Sequence, residues 1–449
     1  MFIYPENWNS LSPDEKMEAR FEHWLSGAGA KFATGEAEKG YRQRVQRIKD
    51  IIQLKKPDRV PCMPMIDAYM AEYSGINYGD FFYDPAKAEK AIIKFHRDFQ
   101  PDYSMVMIAP GKMYERLGMK TYRWPGDGLP MTSKSYQMVD AEYMKADEYD
   151  QLIADPEGYF MRTYMPRAFK ALEGWRMLPN FYNAMEFPIV TALAGAVAAP
   201  PVREAFEAFL EAGQIAAQFM STVAKINEEV VGNLGIPATM GGFWKVPYDI
   251  IGDTMRGTRG IMLDVYRQPD KLLAACERLV PISIQLGIEG ANMSGIPIVM
   301  GVLHKGDDTF MSDAQFRKFY WPHFKQVMEG LMNEGIVAAA FVEGRYNTRL
   351  DMIAESGLPA GKTFWMFDKT DMLAVKKKFG GWGCFGGNVP TSMLLASTPQ
   401  QIKDYCKNLI DTVGQDGGYF LAPGADIDVA KEENVRALIE AAREYGVYS

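Results

Sequence analysis

The sequence predicts an α/β chain folded as a (β/α)8 TIM barrel with an N-terminal helical extension and insertions. Three observations carry this. Short apolar runs bounded by turn residues alternate with amphipathic stretches along most of the chain. Eight such runs can be counted, with no break in composition that would mark a linker. Most of the runs end in a polar side chain, and the C-terminal ends of parallel barrel strands are where chemistry is built.

In order, residues 1–40 read as the helical extension and 41–449 as the barrel. Ser12 before Pro13 is a helix start, and 41–54 is a basic amphipathic helix. Pro57, Asp58 and Arg59 turn the chain into a first strand over 60–66, ending at Asp67. Asp84 and Pro85 open a helix to residue 99. A second strand over 102–108 ends at Ala109. Residues 120–145 are rich in Gly, Pro and aromatics and read as an excursion. After a helix over 148–170, a third strand is placed within 178–190, leading to Glu186. Residues 200–230 and 265–295 are helical, and 233–258, rich in Gly and aromatics, reads as a lid or partner-facing insertion. A fourth strand over 296–303 ends at His304, Asp307 and Asp308, and Ser312 with Gln315 forms a capping box beyond it. The fifth, 336–342, is a nearly continuous apolar run, so it is buried on both faces; Glu343 ends it and Gly344 allows a sharp exit. The sixth spans 361–368 and ends at Asp368. A short seventh within 380–387 ends at Asn388. Thr398 and Pro399 start a helix. An eighth over 417–422 runs to Asp426, and a helix over 431–445 follows.

The composition narrows the function. A net charge of −8 with dispersed basic residues argues against nucleic acid as a partner. Cys62, Cys276, Cys384 and Cys406 are scattered, which gives neither a disulfide framework nor a thiolate cluster and fits a reducing cytoplasm. No run is long enough to span a bilayer, and no signal peptide opens the chain. Phosphate-loop, dinucleotide-binding, Gly-x-Ser-x-Gly and His-Glu-x-x-His patterns are absent.

Asp67, Glu186, His304, Asp307, Asp308, Glu343, Tyr346, Asp368, Asn388 and Asp426 all fall at or just past strand ends and would converge on one mouth. A carboxylate such as Glu343 there is poorly placed for stability and well placed for proton transfer, although pairing with Arg345 or Arg349 is the plainer alternative. His304 is the one histidine of four outside a helical pattern, and imidazole serves as acid or base near neutral pH. Phe341, Phe364, Trp244 and Trp365 lie near strand ends and supply either an aromatic pocket or core.

From Tyr41 onward the chain resembles the uroporphyrinogen decarboxylase superfamily, which includes corrinoid-dependent methyltransferases. The matching pieces are Arg42-x-Arg44-Val45, Lys56 through Pro61, the stretch from Met311 to Pro322, Gly387-Asn388-Val389-Pro390, and Gly417 through Val435. The resemblance implies a (β/α)8 barrel. The departures narrow its activity. The decarboxylase aspartate after the second strand is replaced by Ala109, and the Gly-His-Gly after the eighth by Gly424-Ala425-Asp426. The His-x-Cys zinc pair of the coenzyme M methyltransferases becomes Phe341-Val342-Glu343. What remains resembles the methyl-donor-side enzymes of anaerobic O-demethylase systems. That resemblance implies cleavage of an aromatic methyl ether and transfer of the methyl to cob(I)alamin. The chain carries no corrinoid motif, so the cofactor would arrive on a separate corrinoid protein. Glu343, His304 and Tyr346 are the candidate proton donors or ligands, with a zinc ion between Glu343 and His304 left open. Asp67, Glu186, Asp308, Phe341, Asp368, Asn388 and Asp426 are the candidate substrate contacts. Two alternatives stand beside this reading: a decarboxylase or other lyase, and a non-catalytic barrel that binds a corrinoid protein.

Overall fold

A computed structural model describes residues 1–105 and 108–448. A small sheet comes first, built from β1 (Tyr122–Pro125), β2 (Gly128–Leu129) and β3 (Gln137–Met138), and it occupies the Gly- and Pro-rich excursion. Six parallel strands then follow in sequence order: β4 (Gly242–Phe243), β5 (Ile298–Leu303), β6 (Val337–Val342), β7 (Thr363–Phe367), β8 (Cys384–Val389) and β9 (Tyr419–Pro423). Helices connect them, as parallel crossovers require.

Single bridges continue the ring past β9 and β4. Cys62 pairs with Leu421 and Ser104 with Ala238, both parallel. The Asp102 N–H donates to the Cys62 carbonyl at 3.3 Å, linking the two extended segments to each other. Eight extended segments therefore stand in a circle, in the architecture of a (β/α)8 barrel. The strand expected over 102–108 includes Val106 and Met107, which lie outside the described residues.

One strand assignment is corrected. Residues 178–190 form no strand: Phe181–Ala184 is a 3-10 turn and Phe187–Val197 is an α-helix. Pro188 sits in that helix's first turn, where its fixed φ and missing N–H cost nothing. The third barrel position is taken instead by the segment leading through Ala238 into β4, within the stretch expected to be a lid or insertion. Its glycines have a packing reason. A Cβ on Gly242 would stand 2.7 Å from the Cα of Gly290 in helix Pro269–Ser294.

Strand side chains alternate between two cores. Ile298, Met300, Val337, Ala339, Phe341, Phe364, Met366, Cys384, Phe420 and Ala422 fill the barrel interior together with Met63, Met65 and Tyr103. Val299, Leu303, Ala338, Ala340, Val342, Trp365 and Phe367 face the surrounding helices. Helices Pro13–Leu25 and Gly35–Ile52 contribute Phe21, Trp24, Val45 and Ile48 to the interior cluster, so the N-terminal helices pack directly onto it.

Beneath the first two segments lies a buried ion network. Asp102 is 2% exposed and meets Arg47 and Arg59, each at 2.6 Å, and Arg47 also meets Asp58 at 2.6 Å. Asp102 further accepts the Cys62 N–H at 2.7 Å. Burial opposes the charge on Asp102, but the two guanidiniums outweigh it and hold the carboxyl below its usual range. No single helix among the described residues is long and apolar enough to cross a membrane; the bent pair Phe187–Val197 and Pro200–Asn233 passes by length and composition only.

Candidate active site

The site follows from strand parity. Interior positions on β5 are 298, 300 and 302; on β6, 337, 339 and 341; on β7, 364 and 366. The next inward positions are His304, Glu343 and Asp368. Register puts them side by side, because Leu303 pairs with Val342 and Val342 with Phe367. One residue past each pair lies this row, on neighbouring strands about 4.8 Å apart. His304 Nε2 and the Glu343 carboxylate stand 3.8 Å apart. Asp368 accepts the Gly344 N–H at 3.2 Å. Gly344 has φ +81°, and a Cβ there would lie 2.2 Å from Asp307 Oδ2. Only glycine makes that exit.

A second tier fixes the imidazole. His304 Nδ1 bonds Asp253 at 2.6 Å. Asp253 also meets Lys245 at 2.9 Å and Lys305 at 3.0 Å. Burial pushes the His304 pKa down, but the Asp253 hydrogen bond and the charges of Asp253, Asp249 and Glu343 pull it up further, so the net shift is upward. Asp253 is held well below the usual carboxylate range despite burial, by His304 and the two lysines. With Nδ1–H spent on Asp253, the exchangeable proton of His304 sits on Nε2, facing Glu343. Burial raises the Glu343 carboxyl, His304 opposes the rise, and Asp368 adds to it. Asp249 lies one helical turn before Asp253 and accepts the backbone N–H groups of His304 and Lys305 at 3.2 and 3.1 Å and the Tyr320 hydroxyl at 2.7 Å.

Across the mouth are carboxylates that no cation pairs among the described residues. Burial and neighbouring acids push Asp426 up to about 6, with Asp428 and Glu343 adding to the effect. Asp67 is pushed up to about 7 by burial, partly offset by the Tyr78 hydroxyl, which donates to it at 2.6 Å. Tyr78 is shared with a cavity of about 520 Å³, lined also by Phe82, Tyr114, Trp124, Tyr136 and Phe243. Tyr136 sits in the field of Asp67, Asp426 and Glu343, and the geometric link from the cavity to the mouth is the Tyr78–Asp67 hydrogen bond. The cavity's volume is ordinary for a small-molecule site.

Not all expected site residues converge. Glu186 is exposed and precedes helix Phe187–Val197, away from any strand end. Tyr346 is fully buried, edge-on to Phe316, so it does not face the mouth. Asp308 is spent on Thr348, accepting its N–H at 3.2 Å and hydroxyl at 3.0 Å. Phe341 is interior core one layer below Glu343, and Phe364, Trp365 and Trp244 are likewise buried. Asn388, at φ +72°, donates to the carbonyls of Asp368 and Thr370, each at 2.9 Å. It positions the loop carrying Asp368. Asp253, Asp249, Lys245, Lys305, Tyr78 and Tyr136 escaped the sequence reading. The four-residue spacing of Asp249 and Asp253 was the available signal, since it puts both on one helical face.

As for a metal, no group of three or more His, Cys, Asp or Glu among the described residues is arranged to hold one. His304 and Glu343 supply two donors, and the second nitrogen of His304 is committed to Asp253. That set falls short of the three or four protein ligands a zinc site uses.

Residues 189–445, more than half the chain, match the family model described as Uroporphyrinogen decarboxylase (URO-D). Among solved structures, a methyltransferase from Methanosarcina mazei superposes with a TM-score of 0.57 at 17% identity, covering 90% of this chain and 98% of that one. At that identity the likeness concerns the fold. No curated protein is significantly similar in sequence. Strand order, interior parity and the family match lead to one conclusion: this chain belongs to the uroporphyrinogen decarboxylase family.

Proposed function

We propose that the chain is a methyltransferase that cleaves the methyl ether of a small aromatic molecule and passes the methyl to cob(I)alamin carried by a separate corrinoid protein. The observation that carries this reading is the His304–Glu343 pair, anchored by Asp253, in a barrel that also holds an aromatic-lined cavity whose wall at Tyr78 bonds Asp67. The fold shared with a protein named a methyltransferase supports it. A cavity of about 520 Å³ suits a substituted ring. A corrinoid macrocycle is too large for it and would meet the mouth from outside, on its own carrier. When bound, the corrinoid supplies the nucleophile that accepts the methyl.

The chain's own residues handle the proton. Breaking the methyl C–O bond leaves the electron pair on the aryl oxygen, a poor leaving group unless protonated as the bond breaks. His304, whose pKa is raised by Asp253, Asp249 and Glu343, donates from Nε2 to that oxygen and releases a phenol. Glu343, 3.8 Å from the same nitrogen, contributes a negative charge that favours the proton there. The cavity stacks the ring so that the ether oxygen reaches the pair. No step requires zinc.

The test is a methyl-transfer assay with the purified chain, a panel of methoxyarenes and free cob(I)alamin, repeated with corrinoid carrier proteins. Equimolar phenol release is expected. No demethylation of any member, with the carriers present, would contradict the proposal.

A further inference from the structure

The aromatic cavity has a charge character of its own. None of its lining residues is Lys, Arg or His. Its wall at Tyr78 is backed by Asp67, which is 4% exposed and whose Oδ1 has no hydrogen-bond partner among the described residues. Asp426, Asp428 and Glu343 stand in the same field. Lys245 and Lys305, on the His304 side of the mouth, are both committed to Asp253. An anionic ring substituent would be buried here without a cation to pair it, which is costly, and each neighbouring carboxylate that stays ionised adds repulsion. The cavity does offer a fully buried polar group without a partner. Ser104 lines it, is 1% exposed, and its Oγ has no hydrogen-bond partner among the described residues. A buried hydroxyl left unpaired costs free energy that a ligand oxygen would recover.

We propose that this cavity selects uncharged methoxyarenes and excludes carboxylated ones, with Ser104 bonding a second oxygen on the ring. The inference rests on the methyl-ether reading for the identity of the ligand. It goes beyond that reading by naming which arenes enter and which residue discriminates. Ser104 is a specificity contact; the proton chemistry stays with His304 and Glu343.

Direct binding to the full-length chain tests it without any methyl transfer. Affinities would be measured calorimetrically, with no corrinoid present, for anisole, guaiacol and vanillate. Guaiacol carries a second oxygen that anisole lacks, and vanillate adds a carboxylate to guaiacol. Guaiacol should bind at least about 10-fold more tightly than vanillate at neutral pH, like-charge contact and an unpaired buried anion both acting against the latter. Ser104→Ala should weaken guaiacol about 3- to 10-fold, the range for one hydrogen bond, and leave anisole unchanged. Asp67→Asn should narrow the gap between guaiacol and vanillate. Vanillate binding as tightly as guaiacol would overturn the proposal, as would Ser104→Ala weakening anisole and guaiacol equally, or failure of all three to bind. Guaiacol binding in the expected pattern without demethylation would leave the cavity assignment standing and remove the methyl-transfer reading. Demethylation of vanillate at full rate would do the reverse.

Discussion

The two sides of the ring are held by different forces. From β5 to β9 the strands pair in parallel ladders four to six residues long. The segments at 60–66 and 102–105 and the run into β4 touch their neighbours through isolated bridges and short pairings. On the ladder side, continuous backbone hydrogen bonds fix register, so His304, Glu343 and Asp368 fall in a row. On the bridge side, the Arg47–Asp102–Arg59 network fastens the lower ends of the first two segments. The aromatic cavity opens there, lined by Ser104, Met105, Ala238 and Phe243 and closed over by residues of the 122–138 excursion. One side positions protons and the other provides room. The Asp58-Arg59 turn, part of what makes the sequence resemble its family, belongs to the fastening and not to the chemistry.

The largest effect should fall on the ladder side. Glu343→Gln keeps shape and hydrogen bonding but removes the titratable proton, and should lower turnover about 10²- to 10⁴-fold with little change in ether binding, as should His304→Gln. Unchanged turnover in E343Q would show that Glu343 does not support proton donation by His304.

On the bridge side the expected loss is in stability. Asp102→Ala leaves Arg59 without its carboxylate and Arg47 with Asp58 alone, and should cost up to about 3–5 kcal/mol in denaturant unfolding. Because the Asp102 pKa is lowered in the folded state, its contribution is full above the unfolded value near about 3.9 and is lost as pH falls through the folded value. The wild type should therefore lose stability in acid over that window, and Asp102→Ala should lose less. Equal acid sensitivity in both would show that the network does not fasten this side.

A smaller effect separates the tiers of the site. Asp253→Asn removes the strongest upward influences on His304, so the falling limb of the rate against pH should move to lower pH while KM changes little. A purely structural role would lower activity at every pH alike. Smallest of all is Asn388→Gly. It relieves a positive φ and loses two hydrogen bonds to the loop carrying Asp368, so the net change in stability should stay within about 1–2 kcal/mol. A larger loss would mean that Asn388 supports more than that loop.

The same division governs what could be read in the sequence. Strands β5, β6, β7 and β9 are apolar runs ended by turn residues, and their residues appear in order along the chain. The third position is hidden in the sequence because Gly241 packs closely on Ile296 and Gly242 on Gly290, and glycine erases alternation. The apolar 178–190 stretch drew the assignment instead, although Pro188 was the helix signal within it. His304 and Glu343 were legible as strand-end residues. Their anchor was not, since Asp253 reaches His304 from a helix 51 positions earlier. Tyr346 and Asp308 lie just past strand ends, as the site residues do, but local turns direct them inward and into the loop. Spacing from a strand end does not reveal that.

The central claim is that Asp253 and Glu343 hold a proton on His304 at the mouth. With four histidines in the chain, the imidazole can be titrated directly by NMR in the wild type, Asp253→Asn and Glu343→Gln, with His304→Gln providing the assignment. The account predicts that His304 titrates above the ordinary imidazole value of about 6.5, falls strongly in Asp253→Asn, and falls less in Glu343→Gln. A His304 that titrates at or below the ordinary value in the wild type, unmoved by either substitution, would contradict it.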